Sequence, residues 1–252
     1  MTVRTVAFGE VEVGIWGCAW DLGDGRPGFT AVGAGGEAAV LDRPSRIELS
    51  DDEAGTWWLA SDDLELESVP EAGVATLPDG FDQLIRIRGR LRAGGVDYEV
   101  DCLGTRASRA EIELSRLESI RVVSAWFGPD LGLAVVSSRP RGGAGHDQDL
   151  ITASLFEQGI PVKIEDPRLS TTYTEGGIPV RASVEVWLEP DESDATAAGQ
   201  EPAEPRPRRM AGESIGPVAS RSDGQLEVLA APFRWHAEGR EGAGVYVLTQ
   251  PR

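Results

Sequence analysis

The most regular pattern in the chain is an alternation of apolar and charged residues between residues 84 and 102. Arginines alternate with isoleucine and leucine from Leu84 to Leu91, and acidic residues alternate with apolar ones from Val96 to Cys102. A period of two is typical of a strand with one buried face. Gly94 and Gly95 lie between the two runs and tolerate the positive φ of a tight reversal. The sequence therefore predicts an antiparallel hairpin here.

The same alternation recurs over shorter lengths, in residues 64–67, 180–188 and 226–235. Turn signals rich in glycine, aspartate and proline separate these runs at short intervals. Two windows, Ala107 to Leu117 and His146 to Phe156, are predicted to be short helices. Many short strands with frequent turns favour an all-β sandwich or barrel that carries one or two short helices.

A short repeat indicates two units of similar size. The dipeptide Ala19-Trp20 recurs as Ala125-Trp126, and an Asp-Leu-Gly tripeptide follows each of them within a few residues. We therefore predict a first β unit over residues 1–120 and a second, beside it, over residues 121–252. The polar, Pro-rich segment 189–209 is predicted to be a mobile loop, because it lacks apolar residues that would offset the entropy of ordering it.

The chain carries 42 acidic and 24 basic residues, for a net charge of −18. Such a surface repels phosphate backbones and anionic membranes, so no nucleic-acid partner is expected. No run approaches the roughly 18 apolar residues of a membrane span, and residues 1–10 lack the apolar core of a secretory signal. These features predict no membrane insertion and a cytoplasmic location. Cys18 and Cys102 lie in hydrophobic stretches and are predicted to be buried thiols rather than a disulfide.

Motifs for catalysis are few. The segment from Gly212 to Gly216 has the Gly-x-Ser-x-Gly spacing of a hydrolase nucleophile, but Pro217 follows directly and no helical pattern succeeds it. The chain has two histidines and no zinc-ligand spacing, so neither a metal nor another cofactor is expected. His146 stands beside Asp147 and Asp149, a combination that suits either an acid/base pair or the capped end of a Gly-rich loop.

Two segments resemble the lipocalin-like proteins related to hydroxyneurosporene synthase and carotenoid hydratase. The matching residues are Gly89-Arg90-Leu91, Gly94-Gly95 and Tyr98 to Arg106 in one segment, and Phe233 to His236, Gly239-Arg240 and Gly244-Val245-Tyr246 in the other. The resemblance implies two lipocalin-like barrels side by side, and hydration, cyclisation or a pericyclic reaction of an apolar substrate. An Asp-His-Ser-Trp-Gly type motif usually follows the first segment in that family. Here Ala107-Ser108-Arg109-Ala110 follows, so the resemblance implies the fold more directly than the chemistry.

Two hypotheses of function result from these observations. In the first, an aromatic-lined barrel cavity or inter-barrel cleft binds a small apolar molecule of isoprenoid, polyketide or lipid type. In this hypothesis Arg106 orients the polar end of the ligand. The residues expected to form the site are Trp20, Trp126, Trp187, Trp235 and Arg106.

In the second hypothesis, the same fold is a hydratase, cyclase or isomerase in which a carboxylic acid with a raised pKa protonates the substrate. Asp101 and Asp166 are the candidate acids, and His146 is a further catalytic candidate. Each aspartate also has a structural interpretation, because Asp101 has the solvent parity of its strand and Asp166 precedes a proline. A structural or regulatory role with a protein partner is a third alternative, and the sequence does not indicate the oligomeric state.

Overall fold

The computed structural model describes residues 2–22, 28–42, 44–50, 55–110, 113–142, 149–188, 207–222 and 226–251. The strands of the first sheet are β1 (Thr2–Glu10), β2 (Ile15–Asp21), β3 (Phe29–Ala34), β4 (Glu37–Val40), β5 (Arg46–Leu49), β6 (Trp57–Ala60), β7 (Leu64–Pro70), β8 (Ala75–Leu77), β9 (Gly80–Ala93) and β10 (Val96–Ala110). The strands of the second sheet are β11 (Leu117–Gly128), β12 (Leu131–Pro140), β13 (Leu150–Glu157), β14 (Ile160–Val162), β15 (Ile164–Tyr173), β16 (Pro179–Leu188), β17 (Arg208–Ser214), β18 (Ala219–Ser222), β19 (Leu226–Ala237) and β20 (Arg240–Pro251).

Both antiparallel sheets have the same strand order. The first runs β4-β3-β2-β1-β10-β9-β7-β6-β5 with β8 beside β9, and the second runs β14-β13-β12-β11-β20-β19-β17-β16-β15 with β18 beside β19. In each sheet the first strand pairs with the last, and the sheet curls around its own apolar core. The predicted all-β, lipocalin-like barrel architecture is therefore confirmed. The division into units 1–120 and 121–252 stays a prediction, and the predicted boundary falls inside β11.

The hairpin predicted from the alternating pattern is formed by β9 and β10. Ala93 pairs with Val96 across a two-residue turn in which Gly94 has φ 57° and Gly95 has φ 78°. Two successive positive φ values define the turn that matches the twist of the strands, and glycine adopts them without steric cost. Side chains of Leu91 and Cys102 then reach the core of the first barrel, as the alternation predicts.

The two predicted helices are wrong. Strand β10 continues to Ala110, and the described residues that follow it in the first window form a single 3-10 turn, Leu114–Arg116, and the start of β11 at Leu117. Most of the second window is strand β13, where Leu155 enters the second barrel and Phe156 packs between the sheets. A strand buried on both faces loses the period of two, which is why its short apolar run resembles a helix. Within the described residues, the structure has no helix with the length and apolarity to cross a membrane.

Strand β16 ends at Leu188, and β17 begins at Arg208 and pairs with it. Residues 189–206 of the predicted mobile loop lie outside the described residues. The last residues of that predicted loop belong to β17 instead, where Arg208 forms ion pairs with Glu157 and, at 3.2 Å, with Glu238.

Three apolar cores hold the molecule together: one inside each barrel, and one between the two sheets. Alternation along β1 shows how a single strand supplies two of them. Val6 and Phe8 enter the first barrel, whereas Ala7 faces the second sheet. On the opposite wall, Trp126 belongs to the core between the sheets, and its indole Nε1 donates a hydrogen bond to the carbonyl of Gly9 at 2.9 Å. The central strands of both sheets are therefore buried on both faces.

Cys18 and Cys102 are free and buried, which confirms the prediction of two thiols. Cys18 belongs to the core between the sheets and Cys102 to the core of the first barrel, so they project from opposite faces of one sheet. A disulfide needs Cβ atoms about 4 Å apart, and this arrangement excludes it. Burial raises the pKa of each thiol to about 12, because desolvation disfavours the thiolate.

We expect neither cysteine to react with Ellman's reagent (DTNB) at pH 8 in native buffer, and both to react in denaturant, because the thiolate is the reactive form. Reducing agent should leave the melting temperature unchanged. The folded pKa of Cys18 lies above the ordinary value of 9.0, so its contribution to stability is complete below about pH 9 and is lost as the pH rises toward 12. A melting temperature that falls by several degrees on reduction would contradict the assignment.

Candidate functional site

A partly open cavity of about 180 Å³ lies where the core between the two sheets is incomplete. Its walls come from strands of both sheets and from Leu114 in the connecting segment. Two further grooves lie between the sheets, but acidic residues line both. One is bordered by Glu10 and Glu37, and the other by Glu10, Glu12 and Glu241. The 180 Å³ cavity, which we call the inter-sheet cavity, is the apolar one.

The wall from the first sheet contains Val3 and Thr5 of β1, Trp20 of β2 and Phe29 of β3. Like Ala7, whose side chain is in the core between the sheets, these residues project from the outer face of the first barrel. The rings of Trp20 and Phe29 are tilted against each other, with centroids 6.3 Å apart. This aromatic pair gives the cavity a large apolar surface with few rotatable bonds.

The wall from the second sheet contains Ile120 and Val122 of β11, Val136 of β12 and Val228 of β19. Alternation sends the next residue of β11, Val123, into the core of the second barrel. These β-branched side chains have few rotamers, which keeps the wall stiff. The cavity therefore has an aromatic wall and an aliphatic wall facing each other.

The inter-sheet cavity also contains a buried ion pair. Arg109 donates from Nη2 to Oδ1 of Asp82 at 2.6 Å, and the two side chains are only 7% and 2% exposed. The other carboxylate oxygen of Asp82 accepts a hydrogen bond from Oγ of Ser154 on the second sheet, at 2.6 Å. A second bridge between the sheets joins Thr105 Oγ1 to Ser124 Oγ at 2.8 Å. The polar groups of the cavity wall thus also link the two sheets.

Arg106 is among the residues at the cavity, but its guanidinium lies inside the first barrel. Nε and Nη2 donate to Oε1 of Gln83, at 3.0 and 2.6 Å. The guanidinium carbon lies 4.7 Å from the ring centroid of Trp57, and Nη1 donates to the carbonyl of Gly55. These contacts hold the charged group within the barrel, so it cannot orient a ligand in the inter-sheet cavity. The adjacent Thr105 instead projects from the outer face of the first barrel, toward that cavity.

Of the four tryptophans predicted to bind ligand, the structure places Trp20 in the cavity and the other three elsewhere. Trp126 packs between the sheets but borders the acidic groove around Glu12. Trp235 is fully buried in the second barrel, and Trp187 lies beside Arg168, whose guanidinium is 4.5 Å from its ring centroid. Trp20 is on β2 and Trp126 on β11, the counterpart of β1. The two tryptophans are therefore not equivalent positions of a repeat.

The predicted acids do not meet at the cavity. Asp101 is exposed and ion-paired with Arg86 and Arg88, and its hydrogen bond from Arg86 lowers its pKa. A general acid at neutral pH needs a raised pKa, so Asp101 has the opposite shift. Asp166 is 55% exposed and forms an ion pair with Arg168 at 2.9 Å. His146 lies outside the described residues.

Asp82 and Arg109 are two polar cavity residues that the sequence did not indicate. Because residues 107–117 were predicted to be a helix, Arg109 was not assigned to strand β10. In that strand it lies two positions after Ala107, on the outer face of the barrel. Extending the strand beyond Cys102 to Ala110 would have placed it there, because the register of β9 and β10 pairs Ala107 with Asp82 and Arg109 with Gly80.

No protein-family model matches the chain, and no curated protein matches it in sequence. Among solved structures, the crystal structure of CghA with Sch210972 is similar, with a TM-score of 0.61 and 11% identity over 99% of this chain and 88% of that one. A second CghA structure gives 0.60 with the same identity and coverage. A structure assigned as AttH (NE1406) from Nitrosomonas europaea gives 0.61 at 12% identity, over 100% and 92% of the two chains. These likenesses show the fold alone, over nearly the whole chain.

We expect Asp82→Ala to lower the free energy of unfolding by about 3 to 5 kcal/mol, because it leaves the guanidinium of Arg109 buried without its carboxylate. Asp166→Ala is the matched control. It removes an exposed partner of Arg168 and should cost less than about 1 kcal/mol. Urea denaturation followed by circular dichroism measures both. Equal losses in the two variants would show that the Asp82 pair is not a buried structural link.

Proposed function

We propose that the protein binds a small, predominantly apolar molecule of isoprenoid, polyketide or lipid type in the inter-sheet cavity. The observation that carries the proposal is the composition of the walls. Trp20 and Phe29 face Ile120, Val122 and Val136 across a space that the core between the sheets leaves unfilled. Apolar walls with a few fixed polar groups are the usual form of a small-molecule site.

The volume of the cavity limits what it encloses. An engineered apolar cavity of about 150 Å³ is enough to bind benzene, so about 180 Å³ encloses a group only slightly larger. A longer isoprenoid or acyl chain would place one end between Trp20 and Val122 and extend through the opening toward solvent. We therefore propose that the site grips one end of its ligand rather than surrounding the whole molecule.

Two comparisons support the proposal. The CghA structure contains the compound Sch210972, so a chain of this fold accommodates a small organic molecule. The two segments that resemble hydroxyneurosporene synthase and carotenoid hydratase, Gly89 to Arg106 and Phe233 to Tyr246, imply apolar substrates as well. Both of these arguments come from other proteins. The evidence from this chain is the composition of the walls of the inter-sheet cavity.

Binding is the function that the geometry supports best, because the candidate acids do not face the inter-sheet cavity. Asp101 and Asp166 are exposed in ion pairs elsewhere. Asp82 is the one carboxylate among the described residues of the cavity wall. Both of its oxygens accept hydrogen bonds, from Arg109 and Ser154. In this position Asp82 links the two sheets and presents a polar edge to a ligand.

The test uses N-phenyl-1-naphthylamine, an uncharged apolar fluorophore. We expect saturable binding to the parent protein with one site per chain. Val136→Phe should weaken binding about tenfold, because a larger side chain on the aliphatic wall occupies part of the cavity, and overpacking a formed site costs about 1 to 3 kcal/mol. Fluorescence titration measures the dissociation constant.

Val96→Phe is the matched control, because it makes the same change at a residue that is 53% exposed at the start of β10, next to the Gly94-Gly95 turn. It should leave binding unchanged, and circular dichroism melts should confirm that both variants fold. Absence of saturable binding to the parent, or equal affinity in both valine variants, would contradict the proposed site.

A further inference from the structure

Arg221 is a charged residue of the inter-sheet cavity that forms no ion pair with the described residues. It lies on β18, where it pairs in register with the cavity residue Val228, and it is exposed to solvent. Arg109 is paired with Asp82, and the guanidinium of Arg106 lies inside the first barrel. Among the described residues, Arg221 has no ion pair and no side-chain hydrogen bond.

The charge at this cavity has the opposite sign to that of the molecule. The chain carries −18, and the two other grooves between the sheets are acidic. At the inter-sheet cavity, Asp82 offsets Arg109 and leaves Arg221 beside apolar side chains such as Leu226. A guanidinium at the edge of an apolar cavity, with no partner among the described residues, therefore points to an anionic ligand.

We infer that the ligand is an amphipathic acid, whose apolar end lies between the two walls and whose carboxylate binds Arg221 at the mouth of the cavity. The inference rests on the proposed function and adds the charge of the ligand to it. A guanidinium presents parallel N–H donors that match the two oxygens of a carboxylate. The net charge of the chain does not prevent such binding, because charges more than about 8 Å away are largely screened at physiological salt.

The experiment compares two probes that differ only in their polar end, decanoate and 1-decanol. Displacement of N-phenyl-1-naphthylamine at pH 7 and about 0.15 M salt measures both affinities in each protein. The parent should bind decanoate about two to five times more tightly than a variant without the guanidinium, which is the range expected for a partly exposed ion pair. Arg221→Gln should therefore lose affinity for decanoate and keep its affinity for 1-decanol.

Arg181→Gln is the matched control, because Arg181 is an exposed arginine on β16 that borders neither the inter-sheet cavity nor the two acidic grooves. It should change neither affinity. Arg221→Glu should reduce binding of decanoate further, and added salt at about 0.5 M should remove the difference between parent and Arg221→Gln for decanoate.

The outcomes separate the inference from the proposed function. If both probes bind and Arg221→Gln lowers the two affinities equally or not at all, the anionic ligand is contradicted and the apolar site stands. An equal loss of decanoate affinity in Arg181→Gln would likewise contradict a specific role for Arg221. If neither probe displaces the fluorophore and the fluorophore itself does not bind, the proposed function fails, and the inference fails with it.

Discussion

The packing of the two curled sheets against each other is the interaction on which the rest of the structure depends. Strands β1, β2 and β3 of the first sheet, and β11, β19 and β20 of the second, contribute side chains to the core between the sheets. Each fully buried aliphatic or aromatic side chain there stabilises the fold by about 1.5 to 3 kcal/mol. The central strands cannot face water on either side, so the two barrels depend on each other for burial.

This mutual burial explains both the polar links and the cavity. Buried polar groups are costly unless they are paired, and the bridges Asp82–Ser154 and Thr105–Ser124 pair such groups across the two sheets. Where Trp20 and Phe29 diverge from the β-branched side chains of the second sheet, no protein group fills the space. The same face that holds the sheets together thus supplies most of the walls of the candidate site.

The sequence predicted the parts of the fold in which one face of a strand meets solvent. The β9–β10 hairpin and its Gly94-Gly95 turn follow from alternation and backbone chemistry alone. Strand β13 was missed because Leu155 and Phe156 are buried on opposite faces, which removes the alternation. The cavity was harder still, because it depends on how two sheets from distant parts of the chain meet. Trp20 lies between the sheets, one of the two places that the sequence left open for it, whereas the ion pair of Asp82 was not predicted.

The most direct measurement of the central claim is a crystal structure of the protein with N-phenyl-1-naphthylamine bound. We expect electron density for the naphthalene ring between Trp20 and Val122, with the Asp82–Arg109 pair and the hydrogen bond from Ser154 to Asp82 intact. Density inside either barrel, or in the acidic groove beside Glu12, would contradict the inter-sheet cavity as the binding site.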